Sequence, residues 1–158
     1  VRFSQVTPVV SREESLVDIV VAASRLTRLA GSFSGDVLPR AMVRALSLLD
    51  EHGPLRVSEF ARLDGCSQPS ATALIGRLIA AGLADRTTDP GDSRAVVVEP
   101  TPAGRARLVA SRRAIGTALS QRLPGFDTDR LAPLSDELGE LLEALKSAAH
   151  REDSIQER

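Results

Sequence analysis

Tryptophan and tyrosine are absent from this chain of 158 residues, and cysteine and methionine occur once each. A single cysteine, Cys66, excludes an intrachain disulfide. With four phenylalanines as the whole aromatic complement, any ligand cavity has to be walled mostly by aliphatic side chains. The two histidines, His52 and His150, have no cysteine or carboxylate cluster at metal-ligand spacing, and no Walker or dinucleotide-type glycine loop is present. No metal, no cofactor and no enzymatic activity are therefore expected. The longest apolar run, Ile19 to Ala23, falls far short of the roughly 20 residues that span a bilayer. No charged-then-apolar leader is visible, so no membrane partner and a cytoplasmic location are expected. An excess of basic charge is also missing, the formal net charge being −1.

What the chain has is order in its charge and its apolar spacing. Residues 101–126 carry Arg105, Arg107, Arg112, Arg113 and Arg122 and no acid, whereas residues 127–158 carry nine acids against four bases. Overall neutrality thus conceals segregation, and a few placed arginines can still meet phosphates. A hydrophobic fraction of 42% with 26% charged residues is that of a globular chain, and its length fits one domain.

The most informative stretch runs from Val57 to Arg94. Ser67 is a good N-cap, because its hydroxyl accepts from an otherwise unpaired N–H of the first turn, and Pro69 is tolerated just inside. Ala71, Leu74, Ile75, Leu78 and Ile79 then recur at spacings of three and four, which predicts a helix with one buried side. Its other side carries Gln68, Thr72, Ala73, Gly76 and Arg77, small or hydrogen-bonding residues that let a partner approach the backbone closely. Gly82 suits the stop. A short helix over about Ser58–Leu63, burying Phe60 and Ala61, precedes it across a turn at Gly65. That is a helix-turn-helix arrangement of the kind that enters a major groove. Strands are predicted over Leu83–Thr88 and Ala95–Glu99, the second with Val96, Val97 and Val98. Asp89, Pro90, Gly91, Asp92 and Ser93 form the polar turn between them, ending in Arg94, so the pair reads as a wing.

From Gly53 to Arg86 (GPLRVSEFARLDGCSQPSATALIGRLIAAGLADR) and from Asp89 to Gly104 (DPGDSRAVVVEPTPAG) the sequence resembles the MarR family of winged-helix transcriptional regulators. The family's wing pattern, an acid, any residue and arginine, then a strand, a helix-starting threonine and glycine three further on, falls on Asp92, Arg94, Thr101 and Gly104. Pro100 stands where the family usually has leucine, and Gly76 where it often has aspartate. The resemblance implies a mainly α fold: a winged helix-turn-helix with about six helices and a two- to three-stranded β-wing, dimerising through its N- and C-terminal helices. It further implies sequence-specific DNA binding, repression more often than activation, and control by a small-molecule effector. The effector would sit between the dimer helices and the DNA-binding lobe, in a pocket lined from the first two helices and the start of the Thr101 helix, where Phe33 either forms a wall or packs in the core.

The rest of the chain fits this plan as one domain over 1–158 with a DNA-binding lobe at 40–100. Residues 1–12, with Pro8, form an arm. Ser11 or Ser15 caps a first helix to about Gly31, with Leu16, Ile19, Val20, Ala23, Leu26 and Ala30 in its apolar repeat. A loop over Ser32–Asp36 leads to a second helix, about Pro39–Glu51, with Met42, Ala45, Leu46 and Leu49 on one face. Leu55 to Val57 can pair briefly with the wing. Thr101 caps and Pro102 opens a long helix with Ala106, Val109 and Ile115 loosely periodic, closed by Pro124 and Gly125. A last helix, about Thr128–Ala149, has a stripe of Leu131, Leu134, Leu138, Leu141, Leu142 and Leu145, with Pro133 one turn in. The segment from Arg151 on is polar and expected to fray. A winged helix is complete in roughly 70 to 80 residues, so the helices at 12–31 and 101–149 are assigned to a homodimer, the alternative being that both ends fold back on their own subunit. Its two-fold axis would put two recognition helices about 34 Å apart on a pseudo-palindromic double-stranded operator.

The DNA-binding candidates are Ser67, Gln68, Pro69, Ser70, Thr72, Ala73, Arg77, Arg86 and Arg94. Gln68 can pair with adenine, and the Thr72 methyl can meet thymine. Ser67 and Ser70 either cap the helix or reach bases, and Arg77 either clamps phosphate or pairs within the chain. Arg94, at the wing tip, fits a narrow minor groove. Arg86 contacts phosphate or pairs with Asp92. Two other readings stay open. Sparse positive charge on the recognition helix suits a winged helix that works through protein contacts without DNA. Cys66, just before the helix cap, suits either a thiol-based redox sensor or a small buried hydrophobe.

Overall fold

The computed structural model describes residues 11–33, 35, 38–89 and 91–156. The arm over 1–10 with Pro8, the loop residues Ser34, Asp36 and Val37, Pro90 of the wing turn and the last two residues of the tail lie outside these. The chain divides into two units, 1–119 and 120–158.

In the first unit, apolar residues at helical spacing build the core. Helix α1 (Arg12–Phe33) opens on a reciprocal cap, the Ser11 hydroxyl accepting from Glu14 N and the Glu14 carboxylate accepting from Ser11 N. Next come α2 (Arg40–His52), α3 (Val57–Asp64), α4 (Gln68–Ala80), strands β1 (Ala84–Asp89) and β2 (Asp92–Pro100), and α5 (Pro102–Ser120). Met42, Ala45, Leu46 and Leu49 of α2, Phe60 and Ala61 of α3, and Ala71, Leu74, Ile75 and Leu78 of α4 make one cluster with Leu55, Leu83, Ala84, Val98 and Leu108. Burying side chains such as Phe60 and Ile75 contributes roughly 1.5–3 kcal/mol each. The turn between α3 and α4 needs a left-handed residue, and Gly65 supplies it at φ 68°.

The sheet has two antiparallel strands, Ala84 opposite Pro100 through Thr88 opposite Val96, with an irregularity between Thr88 and Asp89. Leu55 adds an isolated bridge, exchanging both backbone hydrogen bonds with Val98. That is the brief pairing expected of Leu55–Val57. Both strands reach further toward the turn than predicted, because Asp89 and Asp92 still pair across it.

Four expectations need correction. Helix α2 runs to His52, one residue past the expected Glu51, and Pro39 is the N-cap rather than the first helical residue. In α5 the buried positions are Gly104, Leu108 and Ser111, while Ala106 and Val109 are exposed. Two of those three inner residues are not apolar, so hydrophobic spacing misses the true inner face. That helix also stops at Ser120, ahead of Pro124 and Gly125.

In the second unit, α6 (Thr128–Gln156) contains Pro133 one turn in and continues past the expected end at Ala149. No glycine or proline interrupts residues 140–156, and propensity carries the helix into the polar tail. Its leucines 131, 134, 138, 142 and 145 are 42–58% exposed. In the first unit, α1 likewise buries only Ala30, leaving Leu16, Ile19, Val20 and Leu26 exposed.

Candidate nucleic-acid interface

Helix α4 has the two sides its sequence predicts. Ala71, Leu74, Ile75 and Leu78 are buried, whereas Gln68, Pro69, Ser70, Thr72, Ala73 and Arg77 are exposed. Ser67 caps it, accepting from Ser70 N at 3.3 Å, and the two serine hydroxyls are 2.8 Å apart. The Thr72 hydroxyl donates to the Gln68 carbonyl at 2.9 Å, which satisfies the polar end of the side chain within the helix. Of the four polar side chains in these first turns, three hydroxyls thus have a partner inside α4.

Arg77, Arg86 and Arg94 are exposed, and none forms an ion pair among the described residues. The expected alternative for Arg86, a pair with Asp92, is not made. Asp92 faces Arg56 instead, which lies just before α3 and which sequence reasoning missed. The Arg56 guanidinium donates to Asp89 Oδ2 from Nε at 3.1 Å and from Nη2 at 2.8 Å, and Nη2 stands 3.5 Å from Asp92 Oδ2. The second oxygen of each carboxylate holds wing backbone: Asp89 Oδ1 accepts from Gly91 N at 2.9 Å, and Asp92 Oδ1 from Arg94 N at 3.1 Å. The Gly91 amide and Arg56 together hold the Asp89 carboxyl below its ordinary range. At the N-terminus of α3, Glu59 accepts from Arg56 N at 2.8 Å. The Arg56 side chain has no acceptor with which to complete that cap, and it is committed to the wing.

Cys66 sits in the α3–α4 turn, where burial pushes its thiol up and neighbouring Asp64 adds to the effect. A thiol held protonated is a poor nucleophile, which counts against the redox-sensor reading. Asp64 itself is covered, its side chain 2% exposed, and Arg44 of α2 grips it with contacts of 2.8 and 2.9 Å.

That same Arg44 borders a cavity of ≈ 740 Å³ in the first unit, lined by Ser24, Thr27 and Arg28 of α1, Arg40, Val43 and Ser47 of α2, and Ile115 of α5 among others. It touches the second half of α5 rather than the start of the Thr101 helix, and Phe33 is not in its wall. No group of three or more metal-ligating side chains occurs among the described residues, and no described helix is long and apolar enough to cross a membrane.

Three comparisons bear on this geometry. The MarR family model matches residues 38–96, from the approach to α2 through most of β2. The uncharacterized HTH-type transcriptional regulator YcgE of Bacillus subtilis is 36% identical over 66 residues, which is 42% of this chain and 43% of that protein. The chain thus aligns with less than half the length of the curated relatives it matches. Among solved structures, a probable transcriptional regulator from Pseudomonas aeruginosa is 29% identical with a TM-score of 0.53, covering 79% of this chain and 94% of its own. Wild-type MarR from E. coli, in its apo form, is 21% identical with a TM-score of 0.61 over 78% of this chain and 93% of its own, and shares the fold.

Proposed function

We propose that the chain, whose residues 38–96 match the MarR family model, is a dimeric, sequence-specific DNA-binding transcriptional regulator, a repressor relieved by a small-molecule ligand, and not an enzyme. One observation carries the reading: the outer side of α4, with Gln68, Thr72, Ala73 and Arg77, is open to solvent, and the wing of the same lobe ends in an exposed Arg94 that forms no ion pair among the described residues. Gln68 reads bases in the major groove, the Thr72 methyl meets thymine, and Arg77 and Arg86 take phosphates. Arg94 enters the minor groove beside the half-site. Ser67 and Ser70 cap, which leaves Pro69 and Ala73 as close-approach surface.

Dimerisation is supported by α1 and α6, each of which carries a stripe of exposed apolar side chains. Ligand relief is supported by the cavity bounded by Arg28, Arg40 and Arg44, a setting for an anionic molecule with an apolar body against Leu38, Val43 and Ile115. An anion there competes with Asp64 for Arg44, and Asp64 lies at the α3–α4 turn. Such competition gives the ligand a route to the recognition helix.

Selecting bound duplexes from random-sequence DNA tests the proposal. A pseudo-palindromic site is expected, with affinity falling steeply in salt, and Arg94→Ala is expected to lower the salt slope by about one per protomer. Recovery of no preferred sequence, or binding indifferent to Arg94 across a salt titration, supports the rival in which this winged helix contacts proteins only.

A further inference from the structure

We propose that Arg56 is a positioning residue for DNA binding: its guanidinium, clasping Asp89 and Asp92, sets the wing at the angle that presents Arg94. The inference rests on the DNA-binding reading above and extends it to a residue outside both the recognition helix and the wing.

The anchor of the clasp is stiff. Leu55 is bound to Val98 through both backbone hydrogen bonds, at 3.1 and 2.9 Å, and Arg56 N is fixed by Glu59. The guanidinium therefore projects from a point tied at once to Val98 of β2 and to the first turn of α3. What it holds would otherwise come apart. Asp89 and Asp92 stand opposite each other as a cross-strand pair, where like charges repel. They lie beside an irregularity that already weakens the ladder. The planar fork of arginine takes Asp89 through two N–H groups and reaches Asp92 with one of them. Each carboxylate passes the constraint to backbone, Asp89 to Gly91 and Asp92 to the amide of Arg94 itself. A chain of contacts thus runs from the helix-turn-helix through Arg56 and Asp92 to the residue at the wing tip.

Charge alone makes the opposite forecast, and so a test is available. Near a phosphate backbone, converting Asp89 to asparagine removes a repulsive charge and should tighten binding. If the clasp positions the wing, Asp89→Asn loosens binding instead. The experiment uses the full chain and a duplex selected from random DNA by the wild-type protein, with hydroxyl-radical footprinting and titration. The expected result for both Arg56→Gln and Asp89→Asn is loss of protection at the outer minor-groove positions and about tenfold weaker binding. The base preference set by α4 and the far-UV spectrum should not change. Amide exchange at Gly91 and Arg94, measured without DNA, should quicken in both variants. Asp89→Asn that binds as tightly or more tightly with intact outer protection, while Arg56→Gln loses affinity, overturns the clasp and makes Arg56 a direct phosphate contact. Wild-type protein that footprints no selected duplex overturns the DNA-binding reading itself, and the clasp with it.

Discussion

A Cβ on Gly104 would overlap the carbonyl oxygen of Leu83, so the first turn of α5 lies directly against the chain leaving α4. Thr101 completes the joint. Its N–H donates to Leu83 O at 3.1 Å, its hydroxyl donates to Gly82 O at 2.7 Å, and the same hydroxyl accepts from Gly104 N at 3.0 Å. The threonine-and-glycine spacing after the wing therefore has a mechanical meaning: it locks the end of the recognition helix to the start of the helix that follows the wing.

Gly104→Ala is expected to destabilise the protein by about 1–3 kcal/mol, since the obstructing atom is backbone and cannot swing aside. Gly116→Ala in the same helix meets nothing within 4 Å and should stabilise by about 0.5–1 kcal/mol through propensity alone. Urea midpoints at unchanged slope measure both. Equal shifts would mean that the Leu83 contact carries no strain.

Division of labour at the start of α4 gives a second expectation. Ser67→Ala removes the cap and should cost about 1 kcal/mol, with little change in which bases are preferred. Gln68→Ala has no hydrogen bond to lose within the described protein and should leave stability alone while relaxing preference at one position of each half-site. Thr72→Val keeps the methyl and should keep any thymine preference, whereas Thr72→Ser should lose it. Sequence selection with each variant, set beside its melting temperature, separates the roles, and a shifted base preference in Ser67→Ala would return that hydroxyl to the groove.

The same contrast explains how much of the molecule is legible in sequence. Helix α4 declares itself because its cap, its inner residues and its stop lie within the sixteen positions from Ser67 to Gly82 and obey one period. The core face of α2 is legible for the same reason. The inner face of α5 is not, because close approach selects Gly104 there and a serine, Ser111, fills another buried position, and neither registers as hydrophobic. Arg56 is invisible for another reason: its partners lie 33 and 36 residues further on, and no periodicity links an arginine to acids across a folded turn. Proximity in sequence suggests a pairing of Arg86 with Asp92, but the register puts Arg86 opposite Val98.

Acid should loosen the wing selectively. Asp89 is held below the ordinary carboxylate range, first by the Gly91 amide and then by Arg56, so its folded form binds a proton less readily than its unfolded form. The contribution is therefore complete above the ordinary carboxylate value and is lost as pH falls through the lower folded one. Following the Gly91 amide resonance by NMR should show its shift move only below about pH 4, with the movement absent in Asp89→Asn. A midpoint at or above the ordinary value would contradict the assigned hydrogen bonds.

Solvent-exposed leucines along α6 lead to the last expectation. Leu138 and Leu142 are 42% and 56% exposed in the single chain, one helical turn apart, and no polar group of the described protein needs them. Replacing both with glutamate should leave the helix and the winged lobe folded, yet it places charge where a second copy would bury apolar surface. Wild-type protein at micromolar concentration is expected to sediment as a dimer and the double variant as a monomer. Operator affinity should fall steeply as well, because a monomer loses the second half-site and the effective concentration that linkage provides. A double variant that remains dimeric would move the interface away from α6, and a wild-type monomer would deprive the half-site spacing of about 34 Å of its physical basis.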